Sequence, residues 1–250
     1  MKNKKKYNVL YGKNCLITGS TGGLGRELSI LFAKMGINVF LTSTKNQSLT
    51  QLKKKKIISD TNNSHISYQS ADLTKLSDIK KLIKKIRNEF GTIDILVNCA
   101  GIFSQKLMLS SLLDDFDTSF AVNVKAPYIF CNEFGNEMVK KKWGRIVNVG
   151  SSAAYNGIAN QSIYCATKYA LRGFSSSIVQ ELKKSNVRVF FVSPGTVQTK
   201  MGKKVSQFNK SQKYETFIQP SEIAKFILDL IQYDNQLFVE DVRVGRIRNW

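Results

Sequence analysis

Tyr164 and Lys168 stand four residues apart in "QSIYCATKYAL" (161–171), a stretch with helical spacing. Side chains at i and i+4 share one helix face, so a phenol and an ammonium can meet there. Such a pair has a use. A carbonyl that accepts hydride becomes an alkoxide-like oxygen and needs a proton. A phenol of pKa ~10 exchanges that proton near neutrality if its pKa falls by roughly 2–3 pH units, about 3–4 kcal/mol of differential stabilisation. A nearby ammonium acts in that direction. The spacing alone equally fits two solvated neighbours, so elements elsewhere in the chain must decide.

Those elements alternate regularly along the 250 residues. "NCLIT" (14–18) is strand-like, and the segment 23–35 has Leu24, Leu28, Leu31, Phe32 and Met35 at helical spacing before Gly36. "INVFLT" (37–42) is a second strand, followed by a Lys-rich helix and "HISYQ" (65–69). A helix spans 74–90, and the strands "IDILVN" (93–98) and "RIVNVG" (145–150) flank a long helical stretch around 112–140. Helix 162–184 precedes "VRVFFVS" (187–193), Pro220 opens a last helix, and "LFVEDVRV" (237–244) ends the series as a strand. Near-continuous apolar strands with intervening helices specify an α/β fold: one domain over 1–250, a doubly wound parallel sheet of the Rossmann type, about seven strands with helices on both faces. Residues 1–12 read as a basic arm, and the polar stretch 200–219 as a substrate loop or small lid.

The first strand runs into "TGSTGGLG" (18–25) and then a helix. Gly19, Gly23 and Gly25, with Ser20, Thr21 and Leu24 between them, form a turn that lets backbone approach a pyrophosphate at a positive helix N-terminus. The second strand ends in Ser43, Thr44 and Lys45, where an NAD site would place a carboxylate for the ribose 2′-hydroxyl. With no carboxylate to repel a 2′-phosphate and Lys45 to receive it, NADP(H) is expected over NAD(H). The alternative for Lys45 is a surface position at the start of a helix.

Composition narrows the class further. An apolar share of 42% supports a sizeable core, and no run of about 18 apolar residues reads as a membrane span. Cys15, Cys99, Cys131 and Cys165 are scattered, His65 is the single histidine, and no metal-ligand spacing occurs. Free buried thiols in a reducing cytoplasm fit this pattern. The formal charge of +20, from 38 Lys+Arg against 18 Asp+Glu, comes in runs that suit helix ends and solvent faces. Attraction of acidic ligands is a secondary consequence, and aromatic–basic interleaving of the RNA-binding kind is missing. Neither nucleic acid nor a membrane is an expected partner.

Taken in order, the motifs resemble those of the short-chain dehydrogenase/reductase family over nearly the whole length. "TGSTGGLG" is similar to its glycine turn, "ADL" (71–73) to its adenine-side Asp, and "NCAG" (98–101) to its N-N-A-G with Cys99 replacing the second Asn. "NV" (123–124), Ser151, "YCATK" and "PGTVQT" (194–199) match the remaining motifs. The resemblance implies a catalytic set of Ser151, Tyr164, Lys168 and Asn123. Tyr164 is then the proton donor and Ser151 holds the substrate oxygen. Lys168 favours the tyrosinate and bonds the nicotinamide ribose. Asn123 orders a water leading from Lys168 to solvent, or else is a structural amide inside its helix. Asp72 and Leu73 would face the adenine, although Asp72 also suits an N-cap. Asn98, Ala100 and Gly101 would line the cofactor, and Pro194, Gly195, Val197 and Thr199 would hold its carboxamide end. Among family members the chain resembles 3-oxoacyl-carrier-protein reductases and related small-carbonyl reductases, although its tail "VEDVRVGRIRNW" departs from the Gly-rich ending of the former. The resemblance implies an acyl-thioester or small-molecule substrate, an acidic acyl-carrier protein as partner, and a homodimer or homotetramer built on helices 112–140 and 162–184. A sugar-pathway substrate and a non-catalytic NADP-binding regulator are the competing readings.

Overall fold

Short runs of β-branched and large apolar residues form seven strands of one sheet. The computed structural model describes residues 8–54, 64–208 and 213–246. The strands are β1 (Asn14–Thr18), β2 (Asn38–Ser43), β3 (Ile66–Ser70), β4 (Ile95–Asn98), β5 (Gly144–Val149), β6 (Val187–Pro194) and β7 (Asp241–Val244). They lie in the order β3-β2-β1-β4-β5-β6-β7, and every pairing is parallel. The helices are α1 (Gly23–Lys34), α2 (Asn46–Lys54), α3 (Leu76–Phe90), α4 (Leu113–Phe120), α5 (Ala126–Lys141), α6 (Ser162–Leu182), α7 (Lys200–Phe208) and α8 (Pro220–Ile231).

Successive residues in a strand face opposite sides, and both sides are apolar here. Ile17, Val97 and Val147 pack with Leu28 and Phe32 of α1 and Ile227 and Ile231 of α8. Their neighbours Leu16, Leu96 and Ile146 pack with Leu82 and Ile86 of α3, Phe130 and Phe134 of α5, and Ile178 of α6. Each fully buried side chain of this size contributes roughly 1.5–3 kcal/mol, so these two layers hold the sheet far more strongly than any surface ion pair. The chain leaves β1 toward β2 on one side and reaches β4 on the other. That reversal opens a crevice at the carboxyl ends of β1 and β4.

At the opposite end of the sheet, Arg145 of β5 is wholly buried. Its guanidinium donates to the carbonyls of Ile231 (3.1 Å), Tyr233 (3.1 Å), Asn186 (3.2 Å) and Gly144 (2.8 Å), and pairs with Asp234 at 2.6 Å. Burial pulls its pKa down to about 10 against the opposing pull of Asp234. Trp143 lies under it, ring centroid 4.4 Å away.

Four expectations need correction. The polar stretch 200–219 contains α7 and a 3-10 turn over Tyr214–Thr216, with residues 209–212 outside the described set. The helix expected around 112–140 is broken by a π-turn over Ala121–Lys125. The final strand covers only 241–244, because Phe238 packs edge-on against Phe190 instead of pairing. The expected basic arm is shorter than 1–12: residues 8–10 form a 3-10 turn and Leu10 is fully buried, while residues 1–7 lie outside the described set.

Candidate active site

The carboxyl ends of β1, β4, β5 and β6 place four loops around the crevice. Gly19 holds a left-handed conformation (φ 65°), and a Cβ there would fall 2.8 Å from the Ala100 Cα. Only glycine lets the turn after β1 press onto the loop after β4. Thr18 fastens the same pair, its Oγ1 accepting from the N–H groups of Cys99 and Ala100 at 3.1 Å each. No side chain caps the start of α1. Its first-turn N–H groups are thus left for an anion.

The crevice is a cavity of about 1070 Å³, ample for a dinucleotide beside a small substrate. Gly19, Thr21, Gly23, Leu24 and Gly25 form its floor, with Thr44, Asp72 and Leu73 at one end. Ala100, Gly101, Pro194, Gly195, Val197 and Thr199 line its middle, beside Ser151, Tyr164 and Lys168. The wall at the end of β2 carries no carboxylate, and the Ser43 and Thr42 hydroxyl oxygens are buried without partners. Unspent N–H groups, orphaned hydroxyls and the close-set glycine turn fit a dinucleotide phosphate.

Four expected residues do not line this cavity. Ser20 is fully buried and donates to the Thr42 carbonyl at 3.1 Å. Asn98 turns into the sheet, donating to Asn148 Oδ1 at 2.8 Å, and Asn148 donates in turn to Ser175 Oγ at 2.8 Å. Lys45 is exposed just beyond the end of β2 and stays off the wall. Arg26, one residue past the glycine turn, is a cation on the wall at this end, paired with Glu27 at 3.1 Å.

Asn123 is the fourth. It sits in the π-turn, a distortion frequent near functional sites. Its Oδ1 accepts from the Ile102 N–H at 2.8 Å, and its Nδ2 donates to the Ile102 carbonyl (2.9 Å) and to Thr167 Oγ1 (3.0 Å). Thr167 donates to the Tyr164 carbonyl at 2.8 Å. The carboxamide therefore splices the loop after β4 to the turn of α6 that carries Tyr164, as the structural-amide alternative expects. Asp72 likewise spends Oδ1 locally, accepting from the N–H (3.1 Å) and hydroxyl (2.7 Å) of Thr74. These bonds hold its carboxyl below the ordinary range.

Ser151 closes β5 in an extended conformation, its Oγ accepting from the Ala153 N–H at 3.2 Å. Its hydroxyl lies on the same cavity wall as the phenol of Tyr164 and favours the tyrosinate there. Tyr164 is buried against Ala153 and Cys165, with Phe103 edge-on at 5.1 Å. Lys168, one turn along α6, donates to the Val149 carbonyl at 2.9 Å, with its Nζ 5.7 Å from the Tyr164 ring centroid. Burial pushes the Tyr164 phenol up to about 12, with the Ser151 hydroxyl pulling the other way. The sequence reading expected the opposite direction. Burial sets the direction here because both groups are stripped of water and the ammonium is hydrogen-bonded to the Val149 carbonyl. Burial also pulls Lys168 down to about 8.

Sequence reasoning passed over Arg26, Phe103, Gln105 and Gln161, all on the wall. Arg26 had a signal in its place beside Gly25, and Gln161 in its i, i+3 relation to Tyr164. Cys99, Cys131 and Cys15 have thiol pKa values raised by burial, the first two to about 12, so these thiols are packing groups. Among the described residues no group of His, Cys, Asp and Glu side chains could hold a metal ion. None of their helices is long and apolar enough to cross a membrane.

Hydride chemistry needs a dinucleotide and a proton donor side by side, and this crevice has a place for each. That juxtaposition defines a dinucleotide-binding oxidoreductase. The family model described as short chain dehydrogenase matches residues 13–210, and the chain belongs to that family. It is 34% identical over 230 residues to 3-oxoacyl-[acyl-carrier-protein] reductase FabG of Aquifex aeolicus, covering 88% of this chain and 90% of the relative. It is 32% identical over 222 residues to carbonyl reductase family member 4 of Xenopus laevis, covering 88% and 91%. A metagenomic short-chain oxidoreductase solved in complex with NADP superposes with a TM-score of 0.81 at 26% identity, covering 96% of this chain and 99% of that one.

Proposed function

We propose that the chain reduces a 3-oxoacyl thioester with NADPH, through Ser151, Tyr164 and Lys168. The observation that carries this reading is that Ser151, Tyr164 and Lys168 come together on the wall of a glycine-floored cavity, with Lys168 one helical turn from Tyr164. NADPH, when bound, supplies the hydride and leaves a cationic ring. Ser151 holds the ketone oxygen, and Tyr164 gives it the phenolic proton, a transfer of the kind worth about 10²–10⁴-fold in rate. The buried ammonium of Lys168 stabilises the tyrosinate left behind. The glycine turn and the first turn of α1 hold the pyrophosphate, Thr199 and Val197 the carboxamide, and Asp72 and Leu73 the adenine.

Preference for NADPH is supported by the lack of a carboxylate at the end of β2 and by Arg26, Ser43 and Thr44 on the wall. The thioester assignment is supported by the name of the Aquifex relative, by an apolar substrate end with Ile158, Val205 and Phe208, and by a charge of +20 that suits an acidic carrier protein. The carbonyl reductase relative favours a second reading, a small free ketone. Exposed Leu107, Leu109, Leu112 and Leu113, with Tyr128 of α5 and Tyr169 of α6, supply apolar surface for a homodimer or homotetramer. Four free thiols suit a reducing cytoplasm.

The test is fluorescence titration with NADPH and NADH, followed by turnover of acetoacetyl thioesters and plain ketones, using wild type and Tyr164→Phe. Tighter NADPH binding, thioester turnover, and a Tyr164→Phe variant that binds but does not turn over are expected. Turnover that survives in Tyr164→Phe would remove the proposed proton donor. Preference for NADH would overturn the cofactor assignment.

A further inference from the structure

The large cavity does not end at the reacting carbonyl. A second hollow of about 520 Å³ adjoins it, walled by Ser104, Thr118 and Lys204 among others. Ile102, Phe103, Gln105 and Phe208 belong to both walls, so the two spaces meet around these four side chains. Three of the four are apolar. The fourth, Gln105, has its Oε1 shut off from solvent with no hydrogen-bond partner. Native proteins seldom leave a buried acceptor unpaired without a use for it.

We infer that Gln105 is a specificity-determining residue for the arm of the substrate: its Oε1 accepts the N–H of a secondary amide in the thiol portion of the acyl thioester, and the arm leaves through the second hollow. This rests on the thioester reading above. The chemistry selects that donor. Gln105 Oε1 can only accept, and its apolar neighbours would penalise a desolvated ammonium far more than a neutral amide. The wall of the second hollow has no net charge to recruit an ion, since Lys106 and Lys204 are balanced by Asp114 and Asp115, with Lys106 and Asp115 paired at 2.6 Å. With the ketone oxygen fixed at Ser151 and Tyr164, the thiol side of the molecule has this junction as a way out.

An isosteric pair of substrates tests it: acetoacetyl-N-acetylcysteamine, and the thioester in which an ester oxygen replaces the amide N–H. In wild type, kcat/KM for the amide should exceed that for the ester about 5-fold to 10-fold, the worth of one net hydrogen bond. The difference should appear mainly in KM. In Gln105→Leu the amide-to-ester ratio should fall to near one. The ratio is measured within one protein preparation, so a loss of folded enzyme cancels. A wild-type ratio near one, or a ratio that the substitution leaves unchanged, overturns the assignment of Gln105 while the thioester reading stands. Turnover of a plain ketone with neither thioester reduced overturns the thioester reading, and this inference with it.

Discussion

Replacing Lys168 by Met should make the cofactor-free protein more stable while abolishing turnover. The ammonium sits at a position only 4% exposed, and burial pulls its pKa from 10.5 to about 8. Each pH unit corresponds to about 1.4 kcal/mol, so keeping the proton on Lys168 at pH 7 costs the folded state about 3 kcal/mol relative to the unfolded chain. The folded pKa is the lower one. The cost is therefore complete below pH 8, shrinks between about 8 and 10.5, and is gone above that. Met removes it but leaves the Val149 carbonyl without its donor at 2.9 Å, a loss of roughly 1 kcal/mol. The balance is a gain of about 2 kcal/mol at pH 7, or about 4–8 °C in Tm for a chain of this length. Urea unfolding of both proteins without cofactor, followed by tryptophan fluorescence at equal protein concentration at pH 7 and pH 10, measures it. A variant less stable than wild type at pH 7, or a gap of the same size at both pH values, would refute the reasoning.

Two further perturbations probe the cofactor end. In Gly23→Ala the new Cβ would stand 2.3 Å from Thr199 Cγ2, so the start of α7 must move away from the glycine turn; NADPH affinity should fall at least ~10-fold and stability by about 1–3 kcal/mol, read by titration and thermal melting. Arg26→Ala should weaken NADPH binding roughly 10-fold and leave NADH binding nearly unchanged, while Lys45→Ala should change NADPH binding less than about 2-fold; equal effects from the two would place the phosphate contact elsewhere.

The sheet was legible because most of its strands, β1, β2, β4, β5 and β6 among them, carry short apolar runs set between helices whose stripes recur at helical spacing. The glycine turn and the Tyr164–Lys168 pair were legible because each depends on local spacing alone. What stayed hidden depended on distant partners. α7 (KMGKKVSQF) has too short an apolar stripe to declare itself, and its start is fixed by Thr199, whose Oγ1 accepts from the Gly202 N–H at 3.0 Å. Asn98 and Asn123 carry the residue types of a site, yet Asn98 spends its Nδ2 on Asn148 and Asn123 spends its carboxamide on the Ile102 backbone and Thr167, all inside the scaffold. The burial that raises the Tyr164 pKa does not follow from spacing, which reports proximity alone. Lys45 drew attention by its place after β2, whereas Arg26 reaches the wall from the first turn of α1.

Arg145 sets a condition on how the chain can be made. Its acceptors on Ile231, Tyr233 and Asp234 lie 86, 88 and 89 residues further along. During synthesis, β5 emerges long before them, carrying a cation that has only the Gly144 and Asn186 carbonyls, and no carboxylate, until α8 and the residues just beyond it arrive. Strands β1, β2 and β4 can pair as they leave the ribosome, but β5 cannot seat its first residues in register without stranding a guanidinium. The centre of the sheet therefore closes late, and a nascent chain cut short before residue 231 would hold its middle strand open for a chaperone or a protease to find.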